Sequence, residues 1–159
     1  MKITLLLLGT CVLLVAHAQP QQHATGSWNN YSYPADGFAV SSPQLPKQNQ
    51  IISGTAYRLY WNEDTDVGVN LSVTKSDCSV WDNWAKSHLG NATRLVTVNG
   101  KPAFELKPSR NPLQAGYELT QCVDGRLYWF EAHWKQGDPK PAIITRIISS
   151  FQPLTRTTK

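Results

Sequence analysis

Two dipeptides constrain this chain more tightly than anything else in its sequence: Asn99-Gly100 and Asp124-Gly125. RLVTV precedes the first and KPAFELK follows it; YELTQCV and RLYWFEAHWK flank the second. A two-residue type I′ turn needs positive φ at both positions, and Asn-Gly and Asp-Gly supply it at little steric cost. Such a turn also sets the register of the strands it joins. The sequence therefore predicts two antiparallel hairpins in succession.

With Asp124-Gly125 as the loop, Val123 faces Arg126 and Leu119 faces Phe130. One face of that hairpin carries Tyr117, Leu119, Val123, Tyr128, Phe130, Ala132 and Trp134. So much apolar surface is costly in water, so this face is expected to be core, packed under a helix. The opposite face is mixed: Glu118, Thr120, Cys122, Leu127, Trp129, Glu131 and His133. The Asn99-Gly100 hairpin splits the same way, with Leu95, Phe104 and Leu106 on one face. Arg94, Val96, Ala103, Glu105 and Lys107 lie on the other.

This register sets Glu118 opposite Glu131, and like charges across a strand pair are unfavourable. Arg94, Lys107, His133, a metal ion or a raised pKa would relieve the repulsion. Glu118, Glu131, His133 and Trp129 are therefore the candidate binding residues. The same residues would also suit a solvated, ion-paired sheet face, and a one-residue bulge would part the two carboxylates.

Elsewhere the chain alternates between strand and helix signals. Tyr31 and Tyr33 lead into the turn Pro34-Ala35-Asp36-Gly37, and Phe38 and Val40 resume a strand. Gln50 to Trp61 reads as one strand region. After the acidic turn Glu63-Asp64-Thr65-Asp66, the alternation of Val67, Val69, Leu71 and Val73 predicts a half-buried strand. Trp81, Trp84, Ala85, His88 and Leu89 then fall on one face of a helix over Ser79 to Leu89. Ser79 is the expected cap, Asp82 supports it, and Gly90 is the stop. A last helix is expected in DPKPAIITRIISSF, with Asp138 as cap, Pro139 in the first turn and an isoleucine stripe ending at Phe151. Residues 153–159 read as a disordered basic tail.

The chain begins MKITLLLLGTCVLLVAHAQP, a charged start, an apolar stretch and Ala16-His17-Ala18 before Gln19. This predicts a secretory signal peptide over residues 1–18 and a secreted or periplasmic mature protein. The stretch is too short for a comfortable membrane span, which needs about 20 apolar residues. Residues 19–27 form a polar, flexible lead, and one domain is expected over 28–152. Cys11 leaves with the signal. Cys78 and Cys122 remain, and in an exported chain they most simply form one disulfide. The loop it closes, roughly 45 residues, makes it worth about 4 kcal/mol in the chain-entropy model.

The function classes narrow by what is missing. Without Lys2, the basic residues number one fewer than 15, against 11 acidic, and they are scattered rather than striped. A nucleic-acid partner is not expected. There is no GxSxG elbow, no HExxH and no glycine-rich phosphate loop. His23 lies in the lead, and His88 on the apolar side of a helix is expected to be packed. Asn30, Asn70 and Asn91 head glycosylation sequons, of which Asn70 falls in a strand.

The stretch Tyr33 to Val40 (YPADGFAV) followed by Pro43, the pair VNGKPAFELK, GRLYWFEA and the closing IITRIISSF occur in the order of the PsbP-like family, which this chain resembles. That family shares its fold with a Ran-binding nuclear import factor. The resemblance implies an α+β domain: a central antiparallel sheet of about six to eight strands flanked by two helices. Its members mostly bind or stabilise other proteins; plant members help assemble the oxygen-evolving side of photosystem II. No shared catalytic set comes with it. The expectation is an exported, non-enzymatic accessory protein, monomeric, with a protein partner and no cofactor. The alternatives are a small-ligand or metal binder on the mixed face, and a hydrolase using Glu118 and Glu131.

Overall fold

A computed structural model describes residues 27–91, 93–106 and 114–154. In chain order the elements are β1 (Asn29–Tyr33), β2 (Phe38–Ser42), β3 (Lys47–Ile51), β4 (Gly54–Asn62), β5 (Val67–Lys75), α1 (Cys78–Ser87), β6 (Thr93–Val98), β7 (Lys101–Leu106), β8 (Gln114–Val123), β9 (Arg126–Lys135), α2 (Ala142–Ser150) and β10 (Gln152–Pro153). Both two-residue turns take the predicted backbone: φ is 50° and 76° at Asn99 and Gly100, and 51° and 74° at Asp124 and Gly125. Val123 pairs with Arg126 and Leu119 with Phe130, as the turn chemistry requires. No bulge separates Glu118 from Glu131, which face each other directly.

Seven strands form an antiparallel sheet in the order β3-β4-β5-β9-β8-β7-β6; β1, β2 and β10 form a second sheet of three. The core lies between them. Leu71, Leu119, Phe130 and Tyr57 on the large sheet meet Phe38 and Val40 of β2 and Ile144, Ile147 and Ile148 of α2, all buried. Phe151 closes this layer, its ring 4.9 Å from Tyr128 and 5.0 Å from Phe130. The expected core face of the β8–β9 hairpin is thus the core. It also buries Gln121, whose Nε2 donates to Pro102 O at 3.2 Å across the neighbouring strand. Helix α1 packs on the opposite, mixed face, tied there by the Cys78–Cys122 disulfide. The fold is α+β in three layers: α1, the large sheet, and α2 with the small sheet.

Several sequence expectations move. Gln50 to Trp61 is not one strand: the chain reverses at Ile52-Ser53, and the polar, fully exposed KQNQI becomes the edge strand β3. Its lack of alternation hid it, since an edge with both faces in water has no apolar period. Gly54 starts β4 because a Cβ there would lie 1.9 Å from the Val73 carbonyl oxygen. Asp77 rather than Ser79 caps α1, accepting from the Ser79 N–H at 2.9 Å and from its hydroxyl at 2.8 Å. α2 begins only after Pro141, without a side-chain cap. Asp138 instead accepts the Trp134 indole N–H on its backbone carbonyl, 2.9 Å.

The Asn99-Gly100 hairpin faces the other way from its neighbour's apolar side. Phe104 pairs with Thr120, so Leu95, Phe104 and Leu106 point to the α1 side, while Ala103 is buried in the core with Val96 and Val98 packed against it. A two-residue turn sets the register of β6 on β7, but β7 and β8 are joined by residues 107–113, too long a connection to carry register. Pro153, expected to open the tail, lies in the small sheet instead. Gln152 and Pro153 pair with β2, and the Leu154 N–H donates to Gly37 O at 2.7 Å. The signal peptide, residues 19–26 of the lead, Lys107 and residues 155–159 lie outside the described residues.

Candidate functional site

The mixed face is built in rows, because strand registers run straight across the sheet. One row reads Arg58 (β4), Asn70 (β5), Glu131 (β9), Glu118 (β8), Leu106 (β7) and Thr93 (β6). Neighbours in such a row have Cβ atoms about 5 Å apart. Glu118 is half-buried, and Glu131 keeps much of its surface in water. Burial among neighbouring strands and, after it, the Glu118 carboxylate raise the Glu131 pKa above its ordinary value; His133 works against both. Of the neutralisers suggested by sequence, Arg94 is committed elsewhere, 2.6 Å from Glu105.

His133 lies one position further along the same face of β9. Its ring sits over Gly68 of β5: a Cβ there would fall 2.3 Å from Cε1. The Trp61 ring meets it over the same glycine, 5.3 Å away, and the Arg58 guanidinium stands 5.6 Å from that indole, a cation–π contact. Beside the carboxylate pair is therefore an aromatic shelf of Trp61 and His133. Sequence reasoning missed Arg58, Trp61, Gly68 and Asn70. The alternation of β5 did place Gly68 and Asn70 away from the core. A register shift between Arg58 and Tyr60, though, hid which β4 residues join them.

Trp129 is on the same face but in different company. α1 lays Trp81 against it, ring centroids 5.9 Å apart. Trp84 stacks on Trp81 at 4.8 Å, and His88 on Trp84 at 4.5 Å. The indole N–H groups of Trp81 and Trp129 are both buried with no acceptor among the described residues. So the structure brings Glu118, Glu131 and His133 together on open sheet, and takes Trp129 under the helix. Of the expected apolar stripe on α1, only Ala85 is fully buried; Trp84 and Leu89 remain 39% and 44% exposed. Where α1 ends, Leu89, Leu95 and Leu106 with Thr93, Arg94 and Glu105 line a recess of about 410 Å3.

The face offers paired carboxylates, aromatic rings and aliphatic surface. Among the described residues, no group of three or more His, Cys, Asp or Glu side chains is placed to hold a metal ion. No helix of the described residues is long and apolar enough to cross a membrane.

No protein-family model matches the chain, and no curated protein matches it. Its architecture is that of cyanobacterial PsbP from Synechocystis, with a TM-score of 0.55 over 92% of this chain and 98% of that one. The two sequences are 13% identical, so the likeness is one of fold. The chain has a PsbP-like fold, as the motif order of its sequence suggested.

Proposed function

We propose that this protein is an exported, non-enzymatic accessory protein that binds another protein through the α1 side of its large sheet. The observation that carries this reading is the surface itself. Val80, Trp84, Leu89 and Leu95 stay exposed on the α1 side, next to a carboxylate pair without an ion-pair partner among the described residues. Exposed apolar side chains on a sheet face that also carries unpaired charge suit a protein-binding patch. The PsbP-like fold supports the accessory reading, and the Cys78–Cys122 disulfide suits an oxidising compartment. A metal-binding reading finds less support: among the described residues, Glu118, Glu131 and His133 do not come together as a set of three that could hold a metal ion.

The experiment is a pull-down with the mature protein, Gln19 to Lys159, from its own extracellular or periplasmic extract, read by mass spectrometry. A reproducible partner lost on charge reversal at Glu131 supports the reading. A clean negative, with small-molecule binding detected instead, overturns it.

A further inference from the structure

Two of the exposed aliphatic side chains, Leu89 and Leu95, meet at one place. Leu89 and Leu95, 44% and 55% exposed, form with half-buried Leu106 the recess between the end of α1 and strands β6 and β7. Arg94 and Glu105 line it from the same two strands, but their side chains pair with each other on the opposite face and set no charge on the recess. β6 is the outer strand of the sheet; His88 to Gly90 bond only its first residue, Thr93, so beyond Thr93 the edge beside the recess is one that another chain can reach. Across the sheet from Leu106 stand Glu118 and then Glu131. Neither has an ion pair within 4.0 Å among the described residues.

We propose that this strip binds an extended protein segment that sets an aliphatic side chain in the Leu89–Leu95–Leu106 recess and a lysine or arginine on Glu118 and Glu131. The proposal rests on the accessory-protein reading and names the chemistry of its partner. Strands lie about 4.8 Å apart, so the two carboxylates stand roughly 5 and 10 Å from Leu106. An extended segment advances about 3.3 Å per residue and returns to the same face every second residue, so the cation belongs two residues from the aliphatic anchor. A guanidinium or ammonium group there replaces carboxylate–carboxylate repulsion with charge-assisted hydrogen bonds. A wholly apolar partner would desolvate both carboxylates without pairing them, and an anionic surface would be repelled by them.

The test is an NMR titration of the mature protein with a ten-residue serine–glycine peptide carrying one leucine and, two positions on, one arginine. Expected are saturable shifts at the amides of Leu95, Leu106, Glu118 and Glu131. Affinity should fall about tenfold or more in the Glu118→Gln/Glu131→Gln double variant, since charge-assisted bonds are lost. Leu95→Ser should weaken binding too, and its exposed site spares the fold. A peptide with glutamate for arginine should not bind. No saturable shift up to about 5 mM peptide, shifts on another surface, or affinity indifferent to these substitutions overturns the proposal. The same variants go into the pull-down. A partner retained by all of them would overturn this strip while leaving the accessory reading standing. Peptide binding with no partner captured would do the reverse.

Discussion

Replacing Glu131 with glutamine should stabilise the protein at neutral pH. The residue faces Glu118 across β8 and β9, and among the described residues no ion pair relieves the two. Carboxylates about 6 Å apart at a water-exposed surface repel by roughly 0.7 kcal/mol. Favourable cross-strand pairs are worth a similar amount, about 0.2–1 kcal/mol, with like charges acting in the opposite sense. For a domain of this size that is a melting-temperature rise of about 1–4 °C. The pH dependence follows from the raised pKa of Glu131, caused by burial first and Glu118 second. Its carboxyl takes up a proton more readily folded than unfolded. The penalty is therefore fully present above the folded-state pKa and is relieved as pH falls through it. Thermal unfolding of wild type, Glu131→Gln, Glu118→Gln and the double variant at pH 7 and pH 3.5, in low and high salt, checks each step. The gain should shrink in acid and in salt, and the second substitution should add little to the first. A lower melting temperature in Glu131→Gln, or an equal gain at both pH values, would refute the reasoning.

Other expectations concern the frame that holds this face. Reducing Cys78–Cys122 should lower stability by up to about 4 kcal/mol and loosen α1, quenching the coupled fluorescence of Trp81 and Trp129; an unchanged melting temperature would sink the role given to the disulfide. Gly54→Ala should cost about 3 kcal/mol or more in denaturant unfolding, since its Cβ meets backbone rather than a movable side chain. Tyr128→Phe should cost roughly 1–2 kcal/mol, because its hydroxyl donates to the carbonyls of Gly37 and Asp36 at 2.8 and 3.2 Å. Burial pushes the Tyr128 phenol up to about 12, so spectrophotometric titration of the native protein should leave it un-ionised at pH 11, and ionisation near 10 would contradict its buried placement.

How far each part was legible depends on the length of the connection beside it. Asp124-Gly125 is a two-residue turn, so its dihedral demands alone made Leu119–Phe130 and Glu118–Glu131 neighbours, together with the core identity of Tyr128, Phe130 and Trp134. The isoleucine stripe of α2 was legible for the same kind of reason, a period tied to one element. The start of that helix was not: Asp138 and Pro139 carry the right chemistry, yet the chain spends Asp138 on Trp134 and turns three residues later. Likewise Asp77, two residues before the expected cap, has the stronger acceptor.

Local rules stop where strands meet through long connections. Whether Phe104 faces the core or α1 depends on how β7 docks on β8 across residues 107–113, and only the assembled sheet decides that. The shelf of Arg58, Trp61, Gly68 and His133 draws on β4, β5 and β9, and a register shift in β4 sets which of its residues join. The sequence by itself determined pairs: turn residues permit few backbone conformations, and each two-residue turn forces a partner on every residue beside it. The tertiary structure alone decided the rows, in which Leu106, Glu118 and Glu131 come to stand side by side. Their order rests on burying one face of the sheet's inner strands at once, a free energy that no single segment carries.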